Sequence, residues 1–370
     1  MIQLIKIMAT PYLFLTILIS IQNADVSWKL GRRVVCVAFF NAFLALAVGL
    51  LFSNLFRPGD SLQGFSGNLN LGGAPEVLEH SAFTLNTFIQ QFAPQSIFEP
   101  FLKNNVLVIA VYALVFGLIL KKVRIEKFGL SQLEENSSLK LLLKVFEKGL
   151  NWIVHLIPIA VFAVVGSAVH QYGITPAYGL IIYLVVVLGG LLFHAILVYG
   201  YWITQYAKIS VREFINATKG TLTYAFSVNS SLASLPYALQ SLAKLKISPT
   251  AAAIGTGVAT NLNNGGIILY EAMGVLVLAQ AHGIHLTIAQ QFTTCLIALV
   301  AGMGIGGIPE AGFISLSIVA TAVGVPTDML PLLLTVDWII GRTRSLVNVT
   351  SDMTVSIVLN EMEKRDLASK

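Results

Sequence analysis

The sequence predicts an all-α integral membrane protein with about seven transmembrane helices and two re-entrant helical hairpins in an inverted-repeat arrangement. Three observations lead there. Of the 370 residues, 56% are hydrophobic and only 11% are charged, whereas soluble domains carry about 25% charged residues. Mean hydropathy is correspondingly high, at +0.79. Apolar runs of about 20 residues recur along the chain, the length that crosses a hydrocarbon core ~30 Å thick. The two-residue alternation of membrane barrel strands is not seen, so the spans read as helices.

The elements follow in order. Residues 3–22 open with a lysine and an apolar run that resembles a signal peptide. No convincing small-residue cleavage site follows, so the segment reads as a membrane helix. A second helix covers 33–56, and a polar, Gly/Asn-rich connection covers roughly 57–100. A third span is expected at 101–120, a charged loop around 121–148, a fourth span at 149–171 and a fifth at 177–204. Lys29, Arg32 and Arg33 follow the first helix, and Lys121, Lys122, Arg124, Lys127, Lys140, Lys144 and Lys148 follow the third. Lys208, Arg212 and Lys219 follow the fifth, while the alternate connections hold little more than Arg57 and Lys103. Basic loops collect in the cytoplasm, which orients the chain with a cytoplasmic C-terminus. The pI near 9.1 therefore reports membrane topology and carries no nucleic-acid signal. Cys36 and Cys295 both sit in apolar stretches and are expected to pack as small hydrophobes, without a disulfide.

After residue 210 the pattern breaks. "NSSLASLP" (229–236) and "GMGIGGIP" (302–309) each interrupt an apolar stretch with small residues, an aliphatic residue and a proline. The halves on either side are too short to span, so hairpins are expected near 212–248 and 288–324, entering from opposite sides. Short, interrupted hydrophobic segments in corresponding halves of a sequence point to a transport site. Each hairpin precedes a long helix with polar residues at its middle. The first, about 250–279, contains "NLNNGG"; the second, about 331–358, contains "GRTRSLVNVTSD".

On a helix with 3.6 residues per turn, Asp337, Gly341, Arg344, Asn348 and Asp352 form one stripe. Ionisable groups at such depth usually face a cavity or a partner. Arg344 presents a planar fork suited to a carboxylate, and Asn348 and Asp352 offer hard oxygen ligands for a small cation. Arg344 and Asp352 stand about 12 Å apart along the axis, too far for direct pairing. Arg342 lies about 200° around the helix from Arg344; it reads equally well as a field-setting cation or as a solvated side chain. The six histidines show no metal-ligand spacing, and no phosphate loop or nucleophile elbow is present, which argues against an enzyme.

These pieces together resemble the dicarboxylate/amino acid:cation symporter family, the glutamate and aspartate transporters and C4-dicarboxylate carriers. "LIKIMATPYLF" is similar to the start of that family's second helix, so the resemblance implies a chain that lacks the family's first. "NSSLASLP" matches the first hairpin tip, "NNGGI" the unwound Asn-Met-Asp-Gly-Thr motif, "GIPEAG" the second hairpin and "DWIIGRTRSLVNVTSD" the last helix. The resemblance implies that Ser231, Gly307, Ile308, Arg344, Ser345 and Asn348 bind the substrate. It implies one sodium at Ala259, Asn263, Asn348 and Asp352, and a second near Gly302, Met303 and Ile305. It further implies a homotrimer working by an elevator movement. The scaffold is then 1–32 and 101–172, and the moving unit 33–56 and 177–360. An extracytoplasmic loop lies at 57–100 and a cytoplasmic tail at 361–370.

Departures from the family pattern refine this. Gly341 stands where an amino-group-binding aspartate is usual, and Gly265 and Ile267 replace the motif's aspartate and threonine. Ala38, Asn41 and Ala42 replace the partners of a third sodium, so that site is expected to be lost. Glu310 replaces a small residue near the second hairpin tip, where it reads as surface-facing ahead of a proton carrier. The expected function is uptake of an organic anion, a C4-dicarboxylate ahead of an acidic amino acid, with a neutral amino acid third. Uptake would be coupled to Na+ or H+ across a bacterial inner membrane, with lipid as the surrounding partner and no covalent cofactor. The competing readings are a non-transporting membrane receptor and an uncoupled anion channel.

Overall fold

The computed structural model describes residues 2–23, 28–63, 96–102, 106–128, 137–260, 262–305 and 311–368. Every regular element among them is helical. Helix α1 (Ile2–Asn23) packs against α3 (Val106–Phe128) and α4 (Ser137–Val154), while α2 (Trp28–Phe56) runs beside a later, central helix. The third span thus begins later than the apolar run suggests, after a single helical turn at Glu99–Leu102. The expected fourth span is divided: α4 ends at Val154 and α5 (Ile157–Tyr172) restarts with Pro158 in its first turn. Proline has no N–H to donate back to the preceding turn, so the break falls where the sequence places it.

Helix α6 starts at Thr175 with Pro176 and continues past His194 through two π turns, Ala195–Tyr199 and Trp202–Tyr206. Helix α7 (Val211–Val228) opens on a serine N-cap: Ser210 Oγ accepts from the Glu213 amide at 3.2 Å. It stops at Asn229, which adopts the left-handed conformation at φ 54°, a role asparagine fills readily. A short 3-10 turn at Leu232–Ser234 then leads into α8 (Leu235–Lys244), which packs back on α7. Helix α9 (Pro249–Ala253) is capped by Ser248 and runs into a π turn, Ile254–Val258. Non-helical backbone follows as far as Asn264, with residue 261 outside the described set.

The centre of the molecule is α10 (Gly265–Ala281), whose residues are all buried. A helix apolar around its whole circumference needs neighbours on every side. They are α2, α6, α11 (Ile288–Ile305), α12 (Ala311–Ala322) and α13 (Leu330–Ala368). Two segments, Gly31–Phe56 and Thr175–Tyr206, are by themselves long and apolar enough to cross a membrane. Most of the connection at 57–100 lies outside the described residues, but its start is ordered by α10. Gln280 Oε1 accepts from the Gly59 amide at 3.0 Å, its Nε2 donates to the Ser53 carbonyl at 2.9 Å, and its own carbonyl accepts from Gln63 Nε2 at 3.0 Å. Of the two cysteines, Cys295 is buried as expected, whereas Cys36 is on the exposed face of α2.

Candidate functional site

Helix α13 carries the polar stripe into the interior. Asp337, Arg344, Ser345, Asn348 and Asp352 are all buried. The sequence reading leaves Arg344 open to a ligand; the structure gives it an internal acid. Arg344 Nη2 stands 3.1 Å from Asp337 Oδ2, two turns earlier on the same helix. The guanidinium also lies over the Tyr270 ring, 4.0 Å from its centroid, a cation–π geometry. On a further side is Gly312 of α12, where a Cβ would overlap the guanidinium. Asp337 uses one of the several N–H donors that a guanidinium carries.

Around this cation the donors are oriented by groups that have only one hydrogen-bonding role. The Gly266 amide donates to Asn348 Oδ1 at 2.9 Å. A backbone N–H cannot accept, so the Asn348 side chain keeps its Nδ2 as a donor, the right polarity for an anion. Ser345 Oγ donates to Asn229 Oδ1 at 3.1 Å, tying α13 to the turn after α7. Gly341 leaves little room for a larger residue: a Cβ there would sit 3.1 Å from Asn229 Nδ2 and 3.2 Å from Arg344 Nη2. Ser231 is buried in the turn between α7 and α8, and its carbonyl accepts from the Ser234 amide at 3.0 Å. Gly307 and Ile308 lie outside the described residues, as does Glu310.

A second cluster lies a turn or two further along. Asp352 Oδ2 accepts from Thr260 Oγ1 at 3.0 Å. Its Oδ1 is buried with no protein partner, and so are both amide atoms of Asn263. Buried polar atoms that the protein leaves unmatched demand an explanation, an ion or water among them. The Ala259 carbonyl accepts from the Leu262 amide at 2.8 Å, and a carbonyl has a second lone pair for another contact. Near the expected second cation position, the Gly302 carbonyl accepts from Asn264 Nδ2 at 2.8 Å. Met303 is half-buried, and Ile305 is the last residue of α11. Arg342 points away from Arg344, donating to the Trp338 carbonyl at 2.7 Å beside that residue's ring. No group of three His, Cys, Asp or Glu that could hold a metal occurs among the described residues.

Several participants escape the sequence reading. Tyr270 and Glu271 sit on α10 beside Arg344; Glu271 is fully buried and accepts a hydrogen bond from Ser315 Oγ of α12, while its Oε2 has no partner. The signal was present, since Glu271 is the one carboxylate in the apolar run 265–281, and such a residue in a membrane helix is a functional candidate on that ground alone. Asp337 was visible as a member of the stripe, but its pairing with Arg344 depends on rotamers that spacing does not give.

Comparison with known proteins gives this arrangement a context. The profile of the sodium:dicarboxylate symporter family matches residues 1–362. The proton/sodium-glutamate symport protein of Geobacillus stearothermophilus is 27% identical, with 98% of this chain and 86% of the relative covered. The C4-dicarboxylate transport protein of Cupriavidus necator is 27% identical over 100% of this chain and 86% of its own length. That of Xylella fastidiosa is 28% identical, covering 98% and 80%. These relatives are transporters, not enzymes. A match across nearly the entire chain, with an all-helical fold, decides the matter: the chain belongs to the sodium:dicarboxylate symporter family.

Proposed function

We propose that this protein carries an organic anion, a C4-dicarboxylate such as succinate, fumarate or malate, into the cell by symport with sodium. The observation that carries this reading is Arg344. A guanidinium is held at the middle of a buried helix over Tyr270, with Asn348 presenting a donor one turn away. Asp337 balances the guanidinium charge within the protein, and the planar fork matches the geometry of a substrate carboxylate. The second carboxylate is received by Asn348, Ser231 and the backbone at Gly307 and Ile308, with Ser345 in the pocket wall. Gly341 offers no acid for a substrate ammonium, which favours a dicarboxylate over aspartate or glutamate.

Sodium enters the cluster of Asn263, Asn348, Asp352 and the Ala259 carbonyl. The unmatched buried oxygens of Asn263 and Asp352 support this position, since sodium, like other hard cations, takes oxygen ligands. A bound cation compensates Asp352 and lowers the electrostatic cost of an anion arriving nearby. A second ion belongs near Gly302, Met303 and Ile305. Arg342 adds positive potential at the site's edge. In keeping with the family, the chain is a multi-pass protein of the plasma membrane with its C-terminus in the cytoplasm, and it works as a homotrimer. Residues 1–32 and 101–172 form the scaffold; 33–56 and 177–360, with hairpins near 212–248 and 288–324, move as the elevator.

Purified protein in liposomes tests the reading directly. Radiolabelled succinate should accumulate when sodium is imposed outside, and should not accumulate in choline. No accumulation under either condition would favour a receptor, and sodium-independent current would favour a channel. A second reading adds a proton to the coupling ions, and Glu271 favours it: a buried carboxylate bonded through one oxygen, beside the Arg344 site. A pH dye trapped inside the liposomes should then report acidification that accompanies uptake and disappears in Glu271→Gln.

A further inference from the structure

Residues five apart on a regular α-helix point about 140° away from each other. His194 and Tyr199 are five apart on α6, yet His194 Nε2 is 3.1 Å from Tyr199 Oη, and the rings meet edge to face at 4.9 Å. The π turn at Ala195–Tyr199 accounts for this, because its i to i+5 closure puts such residues on one face. Both side chains are fully buried. They reach the start of α10, where a Cβ on Gly265 would lie 2.6 Å from Tyr199 Oη and 3.5 Å from His194 Nε2. The same Cβ would lie 3.9 Å from the Ala45 side chain of α2.

This is the space in which the family resemblance implies a third sodium, and the residues present do not fit one. Ala38, Ala42 and Ala45 supply only methyl groups. Asn41 Oδ1 accepts from Trp202 Nε1 at 2.9 Å; an indole N–H can only donate, which fixes the amide and leaves Nδ2, a donor, buried in the interior. The Tyr199 oxygen is engaged by His194, with Ser351 and Asp352 as its other neighbours. A small hard cation requires several oxygen lone pairs, and the second lone pair of Asn41 Oδ1 is all that the side chains of Ala38, Asn41, Ala42 and Ala45 offer.

We infer that the space between α2, α6 and α10 is closed to cations in this protein, and that the His194–Tyr199 pair, turned inward by the π turn of α6, fills it as a permanent part of the core. Coupling then runs through at most two sodium ions. This deepens the proposed symport and rests on it for the meaning of the count.

The test counts ions and measures packing separately. Full-length protein in detergent is saturated with succinate, and bound ²²Na⁺ is determined by equilibrium dialysis. At most two ions per chain are expected, with the same number in His194→Ala and Tyr199→Phe. A third ion, or the loss of one ion in either variant, would overturn the inference. Thermal unfolding supplies the second readout. Gly265→Ala should lower the melting temperature, and Tyr199→Phe in the same chain should recover most of that loss, a non-additivity that marks direct contact. Additive losses would overturn the filling role. Absence of any bound sodium would sink the sodium-coupled reading while leaving the closed space supported.

Discussion

Arg344 and Asp337 are joined by one guanidinium nitrogen and one carboxylate oxygen at 3.1 Å, seven residues apart on the same buried helix. Removing one partner of a buried pair leaves the other charge uncompensated, at a cost of about 3–5 kcal/mol. Asp337→Asn should therefore lower the melting temperature of the ligand-free protein, and succinate should restore more of it than it adds to the wild type. The conservative Arg344→Lys keeps the charge and loses the planar fork. Losing a buried charge-assisted contact of about 2–5 kcal/mol should weaken succinate binding on the order of 30-fold or more, as read by calorimetry. Wild-type affinity in Arg344→Lys would remove this residue from the site.

Gly312 supports that guanidinium by having no side chain. A methyl group there would occupy the volume of the Arg344 head group, and α12 packs closely enough on α10 and α13 to prevent an easy retreat. Gly312→Ala is expected to fold, to insert in the membrane and to bind succinate at least 10-fold more weakly. Gly220, whose Cβ would meet nothing within 4 Å, provides the control: Gly220→Ala should bind as the wild type does.

Asp352 distinguishes a cation ligand from a structural acid. Its Oδ1 has no protein partner, so the neutral amide of asparagine replaces the carboxylate at little cost wherever no cation is bound. Asp352→Asn should leave the melting temperature of sodium-free protein unchanged or raise it. It should also abolish the rise that added NaCl, compared with choline chloride, produces in the wild type. A preserved sodium-specific rise would exclude Asp352 as a ligand.

His282, just beyond the end of α10, is bonded through both ring nitrogens. Nδ1 lies 2.7 Å from the Leu278 carbonyl and Nε2 2.7 Å from Asp328 Oδ1. Partial burial pulls its pKa down, but the hydrogen bonds to Asp328 and the Leu278 carbonyl and the carboxylate's charge outweigh this, and the value is raised. A pKa raised in the folded state contributes stability that is fully present below the unfolded imidazole value. That stability is lost as pH rises through the folded value. Melting temperature should accordingly fall from mildly acidic to mildly alkaline buffer, and His282→Gln should flatten the slope. An unchanged slope in the variant would assign the effect elsewhere.

The sequence reveals the helices through apolar length and the breaks through Pro and Gly. Pro158 shows how far that goes. The run 149–171 reads as one span because its composition is uniform, while the backbone divides at residues 155–156 for want of one N–H. The polar stripe on α13 was legible because 3.6-residue spacing is a property of the chain alone. What joins it to other helices was not. Nothing in the spacing places Tyr270 under Arg344, Asn229 against Ser345, or the Gly266 amide on Asn348. His194 and Tyr199 were hidden for a further reason: a π turn changes which residues share a face, and periodicity assumes it absent.

Gln280 has a mechanical consequence. Through three bonds it clasps the last turn of α2 and the turn at Pro58–Leu62 to the end of α10. Force applied to α10 is therefore handed straight to the chain between Ser53 and Gln63. Any displacement of the central helix drags that stretch along as cargo, and the pivot of such a stroke has to be sought beyond it.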